Sequence, residues 1–231
     1  MNKETLRCGQ EEAAGAPGFS PGRIAEQVRR LAAYRDAKAI FVGPALGLRQ
    51  VRINTLGDGK SLIMPAAGLQ DGFWRLAPYT LPFAALAQAV TPQGIATHGT
   101  RLTLPALAGQ RIALLISDAL AVDRRGVTVA EGKGFFDLAI AILQAAGALA
   151  APFTVVAVTG NFLGDAVVDD AQPWDVRAEV VIHPGGVTEI PAARSEVPAI
   201  FWEALTPQRI RRITPLWQLS QGKILSSTEK K

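Results

Sequence analysis

Apolar positions along the chain recur with two different periods. Between Ser20 and Tyr34, Ile24, Val28, Leu31 and Ala32 fall on one helical face, and Arg23, Glu26, Arg29 and Arg30 lie mostly away from it. Ser20 is a capping residue and Pro21 suits a first helical position, so the spacing predicts a helix over 20–34. Ala39-Ile40-Phe41-Val42 is a short apolar run closed by Gly43-Pro44, and predicts a buried strand. A helix over Leu48–Leu56, ended by Gly57-Asp58-Gly59, and a strand over Ser61–Pro65 follow. Arg111–Ser117 is a continuous apolar strand of the kind that a parallel sheet buries on both faces. Between these, Ala66–Thr100 carries Trp74, Tyr79 and Phe83 among several Pro and Gly residues and is expected to be irregular, with His98 structural.

The second half is more apolar. From Gly134 to Ala146 both sides of a helix are covered, by Phe135, Leu138, Ile142 and Ala146 on one and Phe136, Ala139 and Leu143 on the other. Such a helix is expected to be buried, inside the chain or against a second protomer. The apolar stretch Leu138–Thr159 is long enough to span a bilayer. It changes at Ala146–Pro152 from Ala/Leu-rich to β-branched, however, so a buried helix, a turn and a strand over Phe153–Val158 are expected instead. An acidic loop over Gly164–Pro173 leads into a short strand ending near Pro184. Beyond it, Ile200–Pro207 and Ile213–Leu216 predict one or two short helices, with Thr206 as cap and Pro207 as first residue. Arg209, Arg211 and Arg212 read as a solvated basic face. Strand–helix alternation from Ala39 to Ile182 predicts a three-layer α/β fold with ligands at the strand C-terminal ends. The expected organisation is an N-terminal strip over 1–19, frayed on its own reading, one α/β domain over 20–190, a helical extension over 191–225 and a disordered tail over 226–231.

Composition narrows the function classes. With 231 residues, 48% hydrophobic and 19% charged, the chain suits one domain with extensions and is not mostly disordered. A net charge of +4 fits a small acidic ligand, and the scattered basic residues argue against a nucleic-acid surface. The single cysteine, Cys8, forbids an intramolecular disulfide and fits a reducing, cytoplasmic setting; the first twenty residues lack the apolar core of a signal peptide. One Cys and two isolated His do not make a metal site.

Candidate chemistry concentrates in one stretch, Val122–Leu138. A β-branched segment there meets Gly132-Lys133-Gly134, and a helix starts at once with Asp137 in its first turn. Glycines permit close backbone approach, and a helix start with a lysine beside it favours an anion. The same residues also describe an ordinary turn with a solvated lysine and a capping aspartate. The spacing matches neither G-x-x-x-x-G-K-[ST] nor G-x-G-x-x-G.

Gly132-Lys133-Gly134-Phe135-Phe136-Asp137 resembles the Gly-Lys-Gly-Tyr-Tyr-Asp signature of 5-formyltetrahydrofolate cyclo-ligases (methenyltetrahydrofolate synthetases), and most of all their divergent methenyltetrahydrofolate synthetase domain branch. The likeness extends to Lys3-x-x-Leu6-Arg7, to Gln50-Val51-Arg52, to Gly59-Lys60 with the strand after it, to Gly72-Phe73…Leu76-x-Pro78, and to Asp175 before a short closing strand. The resemblance implies a Rossmann-like three-layer sheet flanked by helices, of the NagB/RpiA/CoA-transferase-like type. It also implies ATP- and Mg²⁺-dependent conversion of 5-formyltetrahydrofolate to 5,10-methenyltetrahydrofolate by a monomer or homodimer. Lys133 and Asp137 would be catalytic. Lys3, Arg7, Gly132, Lys133, Gly134 and Phe135 would bind the nucleotide, Arg52, Phe136 and Trp74 the folate, and Asp137 with Asp175 the Mg²⁺. For Lys3, Arg7, Arg52, Trp74 and Asp175 the residues themselves also allow a purely structural place. The signature is departed from in four positions. Thr128 and Glu131 stand where arginines are usual, and Phe135 and Phe136 replace tyrosines. A non-catalytic folate- or nucleotide-binding protein on the same scaffold is therefore the alternative.

Overall fold

The structure, a computed structural model, describes residues 1–8, 19–130, 132–191 and 199–228, with side chains to Gln221. In strand β1 (Ala39–Val42) Ala39 and Phe41 enter the core on one face, and Ile40 and Val42 the core on the other. Strand β2 (Ser61–Pro65) divides Ile63 from Leu62 and Met64 in the same way. This two-sided burial is why both runs read as continuous apolar segments. The remaining strands are β3 (Phe73–Leu76), β4 (Thr100–Leu102), β5 (Ile112–Ala119), β6 (Ala121–Val122), β7 (Thr128–Val129), β8 (Leu149–Thr159), β9 (Val180–His183) and β10 (Gly186–Glu189). They form an eight-stranded sheet in the order β10-β9-β8-β5-β1-β2-β3-β4, plus a separate β6-β7 ribbon. β9, β8, β5, β1 and β2 are parallel, while β10 and β3 run opposite to them and β4 pairs antiparallel with β3 at the far edge.

The helices are α1 (Lys3–Cys8), α2 (Pro21–Arg30), α3 (Ala32–Asp36), α4 (Arg49–Gly57), α5 (Phe83–Ala89), α6 (Pro92–His98), α7 (Leu104–Ala108), α8 (Phe135–Ala145), α9 (Pro207–Arg212) and α10 (Thr214–Thr228). Residues of α2 to α6 fill the core on one face of the sheet, and those of α7, α8 and α10 the core on the other. The chain is thus a three-layer α/β protein.

Three expectations are corrected. The helix over 20–34 breaks at Leu31 (φ −63°, ψ 135°), and beyond the break Tyr34 is buried with its hydroxyl donating to Asp58 Oδ2 at 2.8 Å. Ala66–Thr100 is not irregular: it folds into β3, α5 and α6. Its prolines punctuate rather than disrupt, Pro82 at the N-cap of α5 and Pro92 at the first position of α6, where Thr91 Oγ1 accepts the Gly94 N–H at 2.9 Å. β8 starts at Leu149, ahead of the expected Phe153, because Leu149 already pairs with Ile112 across a register shift.

The chain ends join the same body. Leu6 of α1 packs with Ala121, Val127, Val129 and Val168, so residues 1–8 are docked rather than frayed. Ile213 and Leu216 are buried in the core that α8 also fills, and α10 continues to Thr228, inside the expected tail; 229–231 lie outside the described residues. The long apolar stretch divides into α8 and β8. Among the described residues no helix is long and apolar enough to cross a membrane.

Candidate functional site

From β1 the chain crosses to β2 through α4, on one face of the sheet. From β5 it crosses to β8 through α8, on the opposite face. Connections that diverge in this way leave a crevice between the C-terminal ends of their strands. A cleft of ≈ 250 Å³ opens there, with Phe41, Ser117, Asp118, Lys133, Phe135 and Phe136 among its walls. A second cavity of ≈ 220 Å³ lies on the other side of the glycine loop and is lined by Lys133, Asp137, Trp174, Phe201 and Arg209. Lys133 and Gly134 border both, so the loop is the ridge between them.

The loop needs its glycines. Gly134 is the left-handed N-cap of α8 (φ 58°, ψ 31°) and Gly132 also has positive φ (90°). A Cβ at Gly132 would come to 3.3 Å from Arg7 Nε and Cζ. Arg7 lies against the loop, its Nε donating to Ala130 O at 2.9 Å. Lys133 is exposed.

Asp137, in the first turn of α8, accepts the Val176 N–H on Oδ1 at 2.9 Å. Burial pushes its carboxyl up to about 6, and the nearby Asp175 charge pushes the same way; the Val176 hydrogen bond and the Lys3 charge oppose them. Lys3 Nζ forms an ion pair with Asp175 Oδ2, and both side chains are about nine-tenths buried. Asp175 Oδ2 also accepts the Gln172 N–H at 2.6 Å. The Lys3 backbone N–H donates to Asp170 Oδ1 at 3.0 Å, which fixes the start of α1 to the acidic loop. Lys3, Arg7, the glycine loop, Asp137 and Asp175 thus meet in one region.

Asp137 and a second carboxylate near enough to raise its pKa are a donor pair that suits a hard divalent cation, and the structure satisfies Asp175 with an ammonium group instead. Among the described residues no cluster of three or more His, Cys, Asp or Glu forms a cage for a metal. Two carboxylates of this kind could hold an ion such as Mg²⁺, which keeps waters and shares phosphate oxygens.

Two expected ligand residues fall elsewhere. Arg52 is 1% exposed, and its guanidinium donates to the carbonyls of Gly43 (2.6 Å), Ala45 (2.9 Å) and Val90 (2.8 Å). Burial lowers its pKa to about 10, and the Arg49 charge adds to the effect. Arg52 braces the Gly43–Ala45 wall of the cleft from behind rather than presenting donors to a substrate carboxylate. Trp74, in β3, packs half-buried against the core on the α2–α6 face and does not line the cleft.

Other residues emerge only here. Ser117 and Asp118 border the cleft at the end of β5; their place immediately after an unbroken apolar strand is a signal that sequence reading can use. Arg209, expected on a solvated face, instead places its guanidinium 5.4 Å from the Phe135 ring centroid and donates from Nη2 to Lys133 O. Thr128 ends near Val176 O (Oγ1 at 3.5 Å), and Glu131 lies outside the described residues.

Comparisons with known proteins follow the same outline. A bovine (Bos taurus) methenyltetrahydrofolate synthase domain-containing protein is 24% identical over 212 residues, 88% of this chain and 54% of that protein. The mouse (Mus musculus) protein of the same name is 24% identical over 214 residues, 89% of this chain and 56% of that protein. The chain thus spans about half the length of the curated relatives it matches. The NMR structure of Aquifex aeolicus 5,10-methenyltetrahydrofolate synthetase has a similar fold, with a TM-score of 0.52 at 17% identity over 85% of this chain and 96% of that one. The family model of the 5-formyltetrahydrofolate cyclo-ligase family matches residues 19–184, more than half of the sequence, and the chain belongs to that family.

Proposed function

We propose that this chain catalyses the ATP-dependent ring closure of 5-formyltetrahydrofolate to 5,10-methenyltetrahydrofolate. The observation that carries the reading is the glycine loop standing between two cavities, with Lys133 on both. That arrangement suits a phosphoryl transfer from a nucleotide on one side to a substrate oxygen on the other. The formyl oxygen would attack the γ-phosphorus and ADP would leave. N10 would then add to the activated formyl carbon, phosphate would depart, and the N10 proton would be lost.

Such a transfer is accelerated mainly by positioning and by neutralising charge. Lys133 would hold phosphoryl oxygens across the transfer. Arg7, which packs on the loop, would hold the phosphates nearer the leaving group. Phe41, Phe135 and Phe136 line the cleft in which a pterin would lie. Asp137 and Asp175 would hold Mg²⁺, which when bound offsets the charge on the transferring group. Lys3 would release Asp175 as the ion enters and turn toward the phosphates.

One observation favours a second reading, a folate- or nucleotide-binding protein without turnover: Asp175, one of the two acids that would hold Mg²⁺, is already paired with Lys3. Thr128, Phe135 and Phe136 supply neither the charge nor the hydroxyls usual in the signature. Incubation of the purified protein with 5-formyltetrahydrofolate and Mg-ATP decides between the two. Growth of 5,10-methenyltetrahydrofolate absorbance is expected, and Lys133→Ala is expected to lower it by about 10²-fold or more. No product, with 5-formyltetrahydrofolate still bound by calorimetry, overturns catalysis and leaves the binding reading.

A further inference from the structure

We propose that the C-terminal segment completes the phosphate site, with Arg209 as a cation that takes an oxygen of the nucleotide's phosphate chain. The inference rests on the ATP reading above and adds to it a residue from outside the glycine-loop motif.

The segment is built to deliver this side chain. Thr206 Oγ1 caps α9 by accepting the Arg209 N–H at 3.2 Å, which fixes the first turn. Ile210 packs on the core that α8 fills, and Ile213 is buried in it. With the apolar face of α9 held down, Arg209 extends to the glycine loop. There its guanidinium is positioned twice over, by the bond from Nη2 to the Lys133 carbonyl and by the face of Phe135. A tie to the loop backbone keeps the distance between Arg209 and the loop short.

The charge balance points to an anion. Among the described residues neither Arg209 nor Lys133 is paired with a carboxylate, whereas Lys3, Arg29 and Arg101 each are. Arg209 is only partly exposed, and burial lowers its pKa. Two cations with no carboxylate partner among the described residues therefore border one cavity of ≈ 220 Å³, which Asp137 also lines, at the ridge between the two spaces. A guanidinium has a fork of N–H donors; with one engaged by Lys133 O, others remain for phosphate oxygens. Arg209 thus brings a cation to the loop from a segment distant in sequence. Phe135 acquires a role as well: a ring without a hydroxyl gives the guanidinium a flat apolar face to lie on.

Calorimetric titration of ATP and of inorganic tripolyphosphate into the full chain tests the assignment, with Arg209→Ala, Arg209→Lys and Arg209→Gln compared at equal melting temperature. Arg209→Ala is expected to weaken both ligands about tenfold or more, and Arg209→Lys to recover part of the loss, since it returns the charge without the fork. If Arg209→Ala unfolds, Arg209→Gln, which keeps the aliphatic stem, is expected to show the same weakening. Affinity within about twofold of the unmodified chain in the folded variant overturns this inference alone and leaves the ATP reading standing. An unmodified chain that binds 5-formyltetrahydrofolate but neither ATP nor tripolyphosphate overturns both.

Discussion

Asp123 and Asp137 stand near the two ends of the stretch Val122–Leu138 and are both drawn out of water, yet their surroundings are opposite. Asp123 is fully buried, and its oxygens accept the N–H groups of Arg125 (2.8 Å), Val127 (3.0 Å) and Val168 (2.9 Å). These bonds tie the β6–β7 turn to the loop at 168. Asp137 has the Val176 N–H, a second acid nearby and a carboxyl raised to about 6. One acid is held by backbone donors aimed at it; the other is kept in a place that disfavours its charge. Burial alone therefore does not mark a functional acid: the deciding property is whether the fold supplies partners to the charged form or withholds them. Arg52 makes the same point for a cation, since carbonyls surround it on the far side of the cleft wall.

The comparison can be broken by making one change at both places. Asp123→Asn puts an amide N–H₂ against one of the backbone donors, and is expected to cost about 3 kcal/mol of stability, read as a lower urea midpoint. Asp137→Asn keeps the acceptor for Val176 and removes a charge the site disfavours. It is expected to stabilise the fold at pH 7 by about 1–2 kcal/mol while removing turnover. Equal signs at the two positions would show that the two environments are alike after all.

The pH dependence sharpens the difference. Because the folded-state pKa of Asp137 is raised above its ordinary value of 3.8, the folded chain holds this proton more tightly than the unfolded chain does. Stability contributed by the protonated form is then present below about pH 4 and is lost as the pH rises through about 6. Melting temperatures across that window are expected to fall in the unmodified chain by more than in Asp137→Asn. The smallest effect is expected at Arg125, whose half-exposed guanidinium reaches Asp123 Oδ2 only at 3.4 Å. Arg125→Ala should cost about 1 kcal/mol or less, which separates the backbone donors from the ion pair as the reason Asp123 is content in the core.

Much of the scaffold is legible in the sequence. β1, β2, β5 and α8 were legible because strands buried on both faces and a helix buried all round leave unbroken apolar runs. Ala66–Thr100 reads as irregular from its prolines and glycines, yet Thr91-Pro92 is a cap followed by a first helical residue. At the site, Lys3, Arg7, Asp137 and Asp175 are expected from the sequence and come together. Arg52 and Trp74 are expected there too and lie elsewhere, since a residue's distance from a motif in sequence says nothing of which side of a wall it occupies.

The sequence by itself determined the layers, the parallel core and the glycine loop at the head of α8, because period, capping and positive-φ glycine are local properties that a chain carries wherever it folds. Only the tertiary structure decided which charges are satisfied. That Asp123 is saturated, that Lys3 reaches Asp175, that Arg52 faces carbonyls and that Arg209 lies over Phe135 depends on residues distant along the chain. Desolvation and pairing are sums over neighbours in space, and those neighbours exist only once the sheet has brought its loops to one edge.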